Sequence, residues 1–367
     1  MRDKQKVTVL LTLLIAFMLI IAGCGNASSN SSGSKTPEET KESATAEASE
    51  ASPTSSDAEE AGVKYPIVIE HALGTTVIEK KPERIATIQW ANHDIVLALG
   101  VEPVGFSAAN FGVQDGSGML PWTLQEVKKL GIEKPNIFQD TDGLDFEAIS
   151  DAKPDVILAA YSGITKEDYD LLTKIAPVVA YPTAPWATTW REQVIYNATG
   201  MGMAPEGERL IKDTEGLIQD KLTQYPQING KKVVWANFSG KDLSKLHIYT
   251  PIDSRVAFLH ELGLSYPDAV TKQITDPKSY ALELSAENAQ ALYEADVIVG
   301  YGNNELLKVL QADRLLGKIP AIKKGAVAFI DTDTPLVAAG TPNPLSIAYT
   351  IDEYLKLIGD ALDRGNE

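Results

Sequence analysis

From residue 84 onward, short apolar runs rich in β-branched and aromatic side chains alternate with stretches of helical periodicity. RIATIQW, PVGFSA, DVILAAY and PVVAYP read as strands, and HDIVLALG and FEAISDAK between them read as helices. The same alternation resumes downstream with KKVVWANF, HIYTP, DVIVGY and AVAFID. Strands interleaved with helices predict parallel α/β sheets. One segment breaks the rhythm. APEGERLIKDTEGLIQDKLTQYP carries Leu210, Ile211, Leu217, Ile218 and Leu222 at helical spacing between Pro205 and Pro226, which predicts a single helix from Pro205 to Tyr225. At 1.5 Å per residue such a helix is about 30 Å long, the span of one lobe.

The apolar pattern at the N-terminus is of another kind. Arg2, Lys4 and Lys6 precede an uncharged run from Val7 to Ile21, then Ala22, Gly23 and Cys24. That is the layout of a secretory signal peptide, and the run is shorter than the roughly 20 apolar residues a spanning helix needs. Cys24 is the only cysteine among 367 residues, so it forms no intramolecular disulfide. Small residues before it resemble a bacterial lipoprotein signal, whose cysteine is acylated and becomes the mature N-terminus. Gly25 to Gly62 is dominated by Ser, Ala, Thr and Glu, the composition of a disordered tether. Its root-mean-square reach is about 35 Å. The resulting division is a signal peptide over 1–23, an acylated Cys24 with an acidic tether over 24–62, an N-terminal α/β lobe over 63–203, a connecting helix over 204–226 and a C-terminal α/β lobe over 227–367.

Charge and motifs remove several function classes. A net charge of −17 argues against nucleic acid and against electrostatic binding to anionic lipid. No G-x-S-x-G elbow, H-E-x-x-H or P-loop is present, and GMGMAPEG follows a helical stretch instead of a strand, so it fails the dinucleotide fingerprint. His71, His93, His247 and His260 show no short paired spacing for a metal site. Asn92 and Asp94 open a helix and read as capping residues. A surface-anchored enzyme or an adhesin remain the readings from other classes.

The stretches KPERIATIQW, DIVLALGVEPVG, GLDFEAISDAKPDVILA, LSAENAQALYEADVIV and TPNPLSIAYTIDEYLKLI, in that order, resemble the class III substrate-binding proteins of bacterial ABC importers. The resemblance covers nearly all of residues 63–367. It implies two Rossmann-like α/β lobes joined by a single long helix with the ligand cleft between them. It implies no catalysis and no cofactor, with a ferric siderophore as ligand and haem or cobalamin as alternatives. The partners it implies are a permease dimer with its cytoplasmic ATPase, approached by a monomer that is lipid-anchored on the extracytoplasmic face of a Gram-positive-type cell. Glu147 and Glu287 match the two glutamates, one per lobe, that dock such proteins onto the permease. Each lies fourteen residues before a strand-terminal tyrosine, Tyr161 and Tyr301.

Ligands of open α/β sheets collect beyond the carboxyl ends of strands. There the chain places Trp90, Tyr161, Tyr181, Trp235, Tyr249 and Tyr301, with Trp122 and Trp186 in neighbouring loops. Aromatic faces and their N–H and O–H donors suit the organic shell of a chelate whose iron is already wrapped, so no direct metal ligand is required. Arg191 and Arg255 are the guanidinium donors best placed beside them. The competing reading of each aromatic is closure of the core at a strand end.

Overall fold

The structure, a computed structural model, describes residues 63–366 apart from 114 and 141. The signal peptide of 1–23, Cys24 and the tether up to residue 62 lie outside the described residues.

The chain begins with a hairpin, β1 (Ile67–His71) against β2 (Gly74–Ile78), whose alternate residues Ile69, His71, Thr76 and Ile78 face inward. The first sheet follows, built from β3 (Ile85–Thr87), α1 (Asn92–Ala98), β4 (Gly105–Ser107), α2 (Pro121–Lys129), β5 (Ile137–Phe138), α3 (Phe146–Asp151), β6 (Val156–Leu158), α4 (Lys166–Leu172) and β7 (Val178–Val179). Its order is β5-β4-β3-β6-β7, all parallel. β3, β4, β6 and β7 are buried along their whole length, which is why they read as continuous apolar runs. α5 (Trp190–Gly200) then leads into α6 (Ala204–Leu222).

α6 is the helix predicted from periodicity, and its 19 residues span about 28 Å. It stops short of Tyr225 because a residue preceding proline is pushed out of the helical region, and Tyr225 before Pro226 has φ −129 and ψ 56. α5 crosses α6 closely. A Cβ on Gly207 would sit 2.6 Å from that of Ala198.

The second lobe contains β8 (Val233–Ser239), β9 (Asp242–Tyr249), α7 (Ser254–Glu261), α8 (Asp268–Thr271), β10 (Ala281–Ser285), β11 (Val297–Tyr301), α9 (Asn304–Ala312), α10 (Pro320–Lys324) and β12 (Val327–Ile330). Its order, β10-β9-β8-β11-β12, repeats that of the first sheet. Here the all-parallel expectation fails. β9 runs antiparallel to both β8 and β10, while β11 is parallel to β8 and β12. Only Gly240 and Lys241 separate β8 from β9, and a parallel connection needs a crossover of a dozen residues or more.

α11 (Pro344–Asn366) returns from the second sheet to pack on α6, α1 and α2. One buried cluster therefore contains Ile95, Trp190 and Val194 of the first lobe together with Trp235, Leu259 and Ile351 of the second part of the chain. A continuous core across the junction restricts the lobes to small relative motions. Among the described residues, no helix is long and apolar enough to cross a membrane.

Candidate functional site

Between the lobes lies a cavity of about 380 Å³. The first lobe contributes Trp90, Asn110, Phe111, Tyr161 and Trp186, and the second contributes His247, Tyr249, Asp253, Arg255, Tyr280 and Tyr301. Val337 and Thr341, from the connection between β12 and α11, complete the wall.

Trp90 is held by an unusual turn. Gln89 and Ala91 on either side of it both adopt left-handed φ values of 62 and 60, a conformation that costs non-glycine residues energy and persists only under strong local constraint. The constraint comes from Asn92. Its Nδ2 donates to Ile88 O at 2.9 Å and Tyr161 O at 3.0 Å, and its Oδ1 accepts from Tyr161 N at 3.1 Å. Asn92 thus staples the end of β3 to the segment beyond β6 and aligns Trp90 with Tyr161; it does not cap α1. The Trp90 indole then donates to Thr341 Oγ1 at 2.7 Å. Trp186 packs edge-on against Tyr161 at 5.4 Å. Gly163 makes room for it, since a Cβ there would lie 2.4 Å from the Trp186 indole nitrogen.

The second lobe presents a sheet face. His247 and Tyr249, two apart on β9, point to the same side. The Trp235 ring lies behind, 6.3 Å from Tyr249 and 5.6 Å from Tyr301, both edge-on. Arg255 crosses this wall with its guanidinium 4.2 Å from the centre of the Tyr249 ring and Nε 3.3 Å from the Tyr301 hydroxyl. Its Nη1 donates to Asp253 Oδ2 at 2.8 Å, while its backbone N–H donates to Oδ1 at 2.9 Å. Burial opposes the Arg255 charge, but Asp253 and the surrounding tyrosines outweigh it and hold the guanidinium pKa well above its ordinary value. Tyr161 and Ser254 meet across the floor at 3.2 Å.

Burial pushes the Tyr249 phenol up to about 12 and the Tyr161 phenol higher still. Both stay protonated at neutral pH and so have an O–H to donate to a ligand. Burial and Arg255 together lower the His247 pKa, so its imidazole is neutral there. Among the described residues, no group of three or more His, Cys, Asp or Glu side chains could hold a metal ion.

Of the ten side chains predicted to bind ligand, Trp90, Tyr161, Trp186, Tyr249, Arg255 and Tyr301 converge on this cavity. Four are placed elsewhere. Trp122 is buried on α2, its indole donating to Asp94 at 2.9 Å. Tyr181 follows the edge strand β7 and is buried, donating to Ile164 O at 3.2 Å. Trp235 lies within β8, fully buried one layer behind the wall. Arg191 braces three helices: Nε meets Glu215 of α6 and Nη1 meets Glu261 of α7, both at 2.6 Å. Sequence reasoning missed Asn110, Phe111, Asp253, Tyr280, Val337 and Thr341 as lining residues, and His247 too. The period-two spacing from Tyr249 is the signal that marks His247.

Glu147 and Glu287 are both exposed, each in the first turn of the helical segment that feeds the fourth strand of its sheet, β6 or β11.

Residues 85–334 match the periplasmic binding protein family. A solved structure from Streptococcus pneumoniae TIGR4, PiaA in complex with ferrichrome, is 53% identical with a TM-score of 0.78, over 81% of this chain and 99% of that one. Among curated relatives, the petrobactin-binding protein YclQ of Bacillus subtilis (strain 168) is 23% identical over 369 residues, 97% of this chain and 98% of the relative. The probable siderophore-binding lipoprotein YfiY of the same organism is 28% identical over 210 residues, 54% of this chain, and the match spans only 57% of that relative's length.

Proposed function

This chain belongs to the periplasmic binding protein family, and from that premise we propose that it is the substrate-binding lipoprotein of an ABC importer, capturing a ferric siderophore for iron uptake. The observation that carries the reading is the cavity itself, where aromatic faces, protonated phenols and one oriented guanidinium converge from both lobes. Such a lining recognises the oxygen-rich shell of a preformed chelate by stacking and hydrogen bonding. It leaves the iron to its chelator. The identity to PiaA, solved with ferrichrome, supports a ferric trihydroxamate as the ligand class.

Delivery requires a membrane and a partner. Acylation at Cys24 supplies the anchor, the tether of 25–62 lets the folded part reach a permease, and the exposed Glu147 and Glu287 dock it. In parallel sheets a helix begins at the edge where strands end, so Glu147 starts at the edge where β6 ends. Glu287 follows β10 directly, at the edge where β11 ends in Tyr301. The two carboxylates therefore sit on corresponding positions of the two lobes.

Fluorescence titration with ferrichrome tests the reading. Trp90 and Trp186 line the cavity, so binding should quench the intrinsic emission and raise the melting temperature. Iron-free ferrichrome is not held in the chelate shape and should bind more weakly by about tenfold or more. Absence of quenching and of stabilisation, or equal affinity for both forms, would refute it.

A further inference from the structure

Among the described residues one guanidinium lines the cavity, and that charge is already answered from inside the wall. Asp253 is fully buried behind Arg255 and holds it through both a side-chain and a backbone hydrogen bond. Arg255 itself is 17% exposed toward the cavity. His247 is neutral at pH 7, and Tyr161 and Tyr249 are phenols. The lining therefore carries no net charge, although it contains an arginine.

We propose that Asp253 is a specificity-determining residue that makes this cavity select electrically neutral ferric chelates over anionic ones. The inference rests on reading the cavity as a chelate site and adds the charge class of the chelate. An arginine alone offers two things to a ligand, hydrogen-bond donors and a positive field. A carboxylate 2.8 Å away cancels most of the field at the distance of a bound chelate. The donors survive, because only Nη1 faces Asp253. Nε is directed at the Tyr301 hydroxyl, and Nη2 has no hydrogen-bond partner among the described residues. Without the field, a multiply anionic chelate gains nothing that repays its lost hydration, whereas a neutral chelate loses little on entry.

Asp253→Asn is the direct test, because asparagine keeps the side-chain oxygen that accepts from the Arg255 backbone N–H while removing the charge and, with it, the oxygen that accepts from Nη1. The readout is the ratio of affinities for two probes, ferrichrome, which is neutral, and ferric enterobactin, a trianionic tris-catecholate. The full-length protein should prefer ferrichrome, and Asp253→Asn should shrink that preference by about tenfold or more, with the gain for the catecholate fading as salt is raised. The doubly neutral variant Asp253→Asn/Arg255→Gln loses a donor and binds both probes less well. Its ratio should stay within about threefold of the unsubstituted protein's if the native pair is electrostatically silent. An unmoved ratio in a folded Asp253→Asn protein overturns the proposal. So does a tenfold rise in the ratio for the double variant, which also decides the matter should Asp253→Asn fail to fold. If the unsubstituted protein binds neither chelate, the chelate reading falls and this inference with it; if it binds both with equal affinity, only the charge selectivity falls.

Discussion

Replacing Asp94 by alanine should be among the most damaging single changes in the described chain. Asp94 lies on α1 with no exposed surface. Its Oδ2 accepts from the Trp122 indole and from Asn343 Nδ2, both at 2.9 Å, and its Oδ1 accepts from Thr123 Oγ1 at 2.6 Å. His93 Nε2, 3.5 Å away, adds no cation, because full burial lowers the imidazole pKa. Alanine leaves three buried donors without an acceptor, at about 1–3 kcal/mol each, so the loss after relaxation is about 4–6 kcal/mol. That is a large share of the roughly 5–15 kcal/mol by which a domain is stable. Asp94→Asn should cost only about 1–3 kcal/mol, since the amide oxygen can still accept two bonds and the Thr123 hydroxyl can turn to accept the third. Urea unfolding followed by circular dichroism and tryptophan emission separates these outcomes. A cost below about 1 kcal/mol for Asp94→Ala, or equal costs for the two variants, would refute the reasoning. The site should also suffer. Asn343 stands two residues beyond Thr341, the acceptor of the Trp90 indole, so losing its anchor loosens a cavity wall and weakens ligand binding even in folded molecules.

Acid should destabilise the fold through its histidines. Burial lowers the pKa of His71 and His93 below the ordinary 6.5, so the unfolded chain binds more protons than the folded one beneath that pH. Their contribution is complete above 6.5 and is lost as the pH falls through the lowered values. His93, fully buried with neither ring nitrogen hydrogen-bonded among the described residues, should dominate. His93→Leu should therefore flatten the fall in unfolding free energy between about pH 7.5 and 5.5, and an unchanged slope would refute this. In cells, Cys24→Ser should release the protein from the membrane fraction, whereas Glu147→Ala/Glu287→Ala should leave it anchored and ligand-competent but lower iron uptake. Normal uptake by the double variant would sink the docking role.

Periodicity recovered the elements that obey one rule at a time. β3, β4, β6 and β7 of the first sheet are buried throughout and bounded by helices, so their runs are unmistakable, and α6 announces itself by an apolar stripe between two prolines; the two-residue β5 gave no such run. β9 was only half legible. Its first residues, Asp242 to Lys245, are mostly exposed and polar, so only HIY at its end carried a strand signal. The antiparallel pairing that follows from a two-residue turn was hidden with them. The hairpin of β1 and β2 lies outside the β/α alternation and left no mark on that reading.

The site was legible to the extent that strand ends determine it, and a strand end fixes height along the sheet without fixing direction. Trp90 and Tyr161 turn toward the cavity because Asn92 ties the segments that carry them together, a contact across 69 residues of sequence. Tyr181 stands at the edge strand, too far out to join them, and Trp235 is drawn inside by the length of β8, which continues four residues beyond it. Charge was the least legible property of all. In PIDSRV, Asp253 is the N-cap of α7, accepting the Arg255 backbone N–H. The same carboxylate also neutralises the Arg255 side chain, because an N-cap side chain folds back over the first turn of its helix and reaches the residue at its second position. A sequence displays one acid and one arginine two residues apart. Whether the cavity they share attracts anions depends on that single turn of backbone.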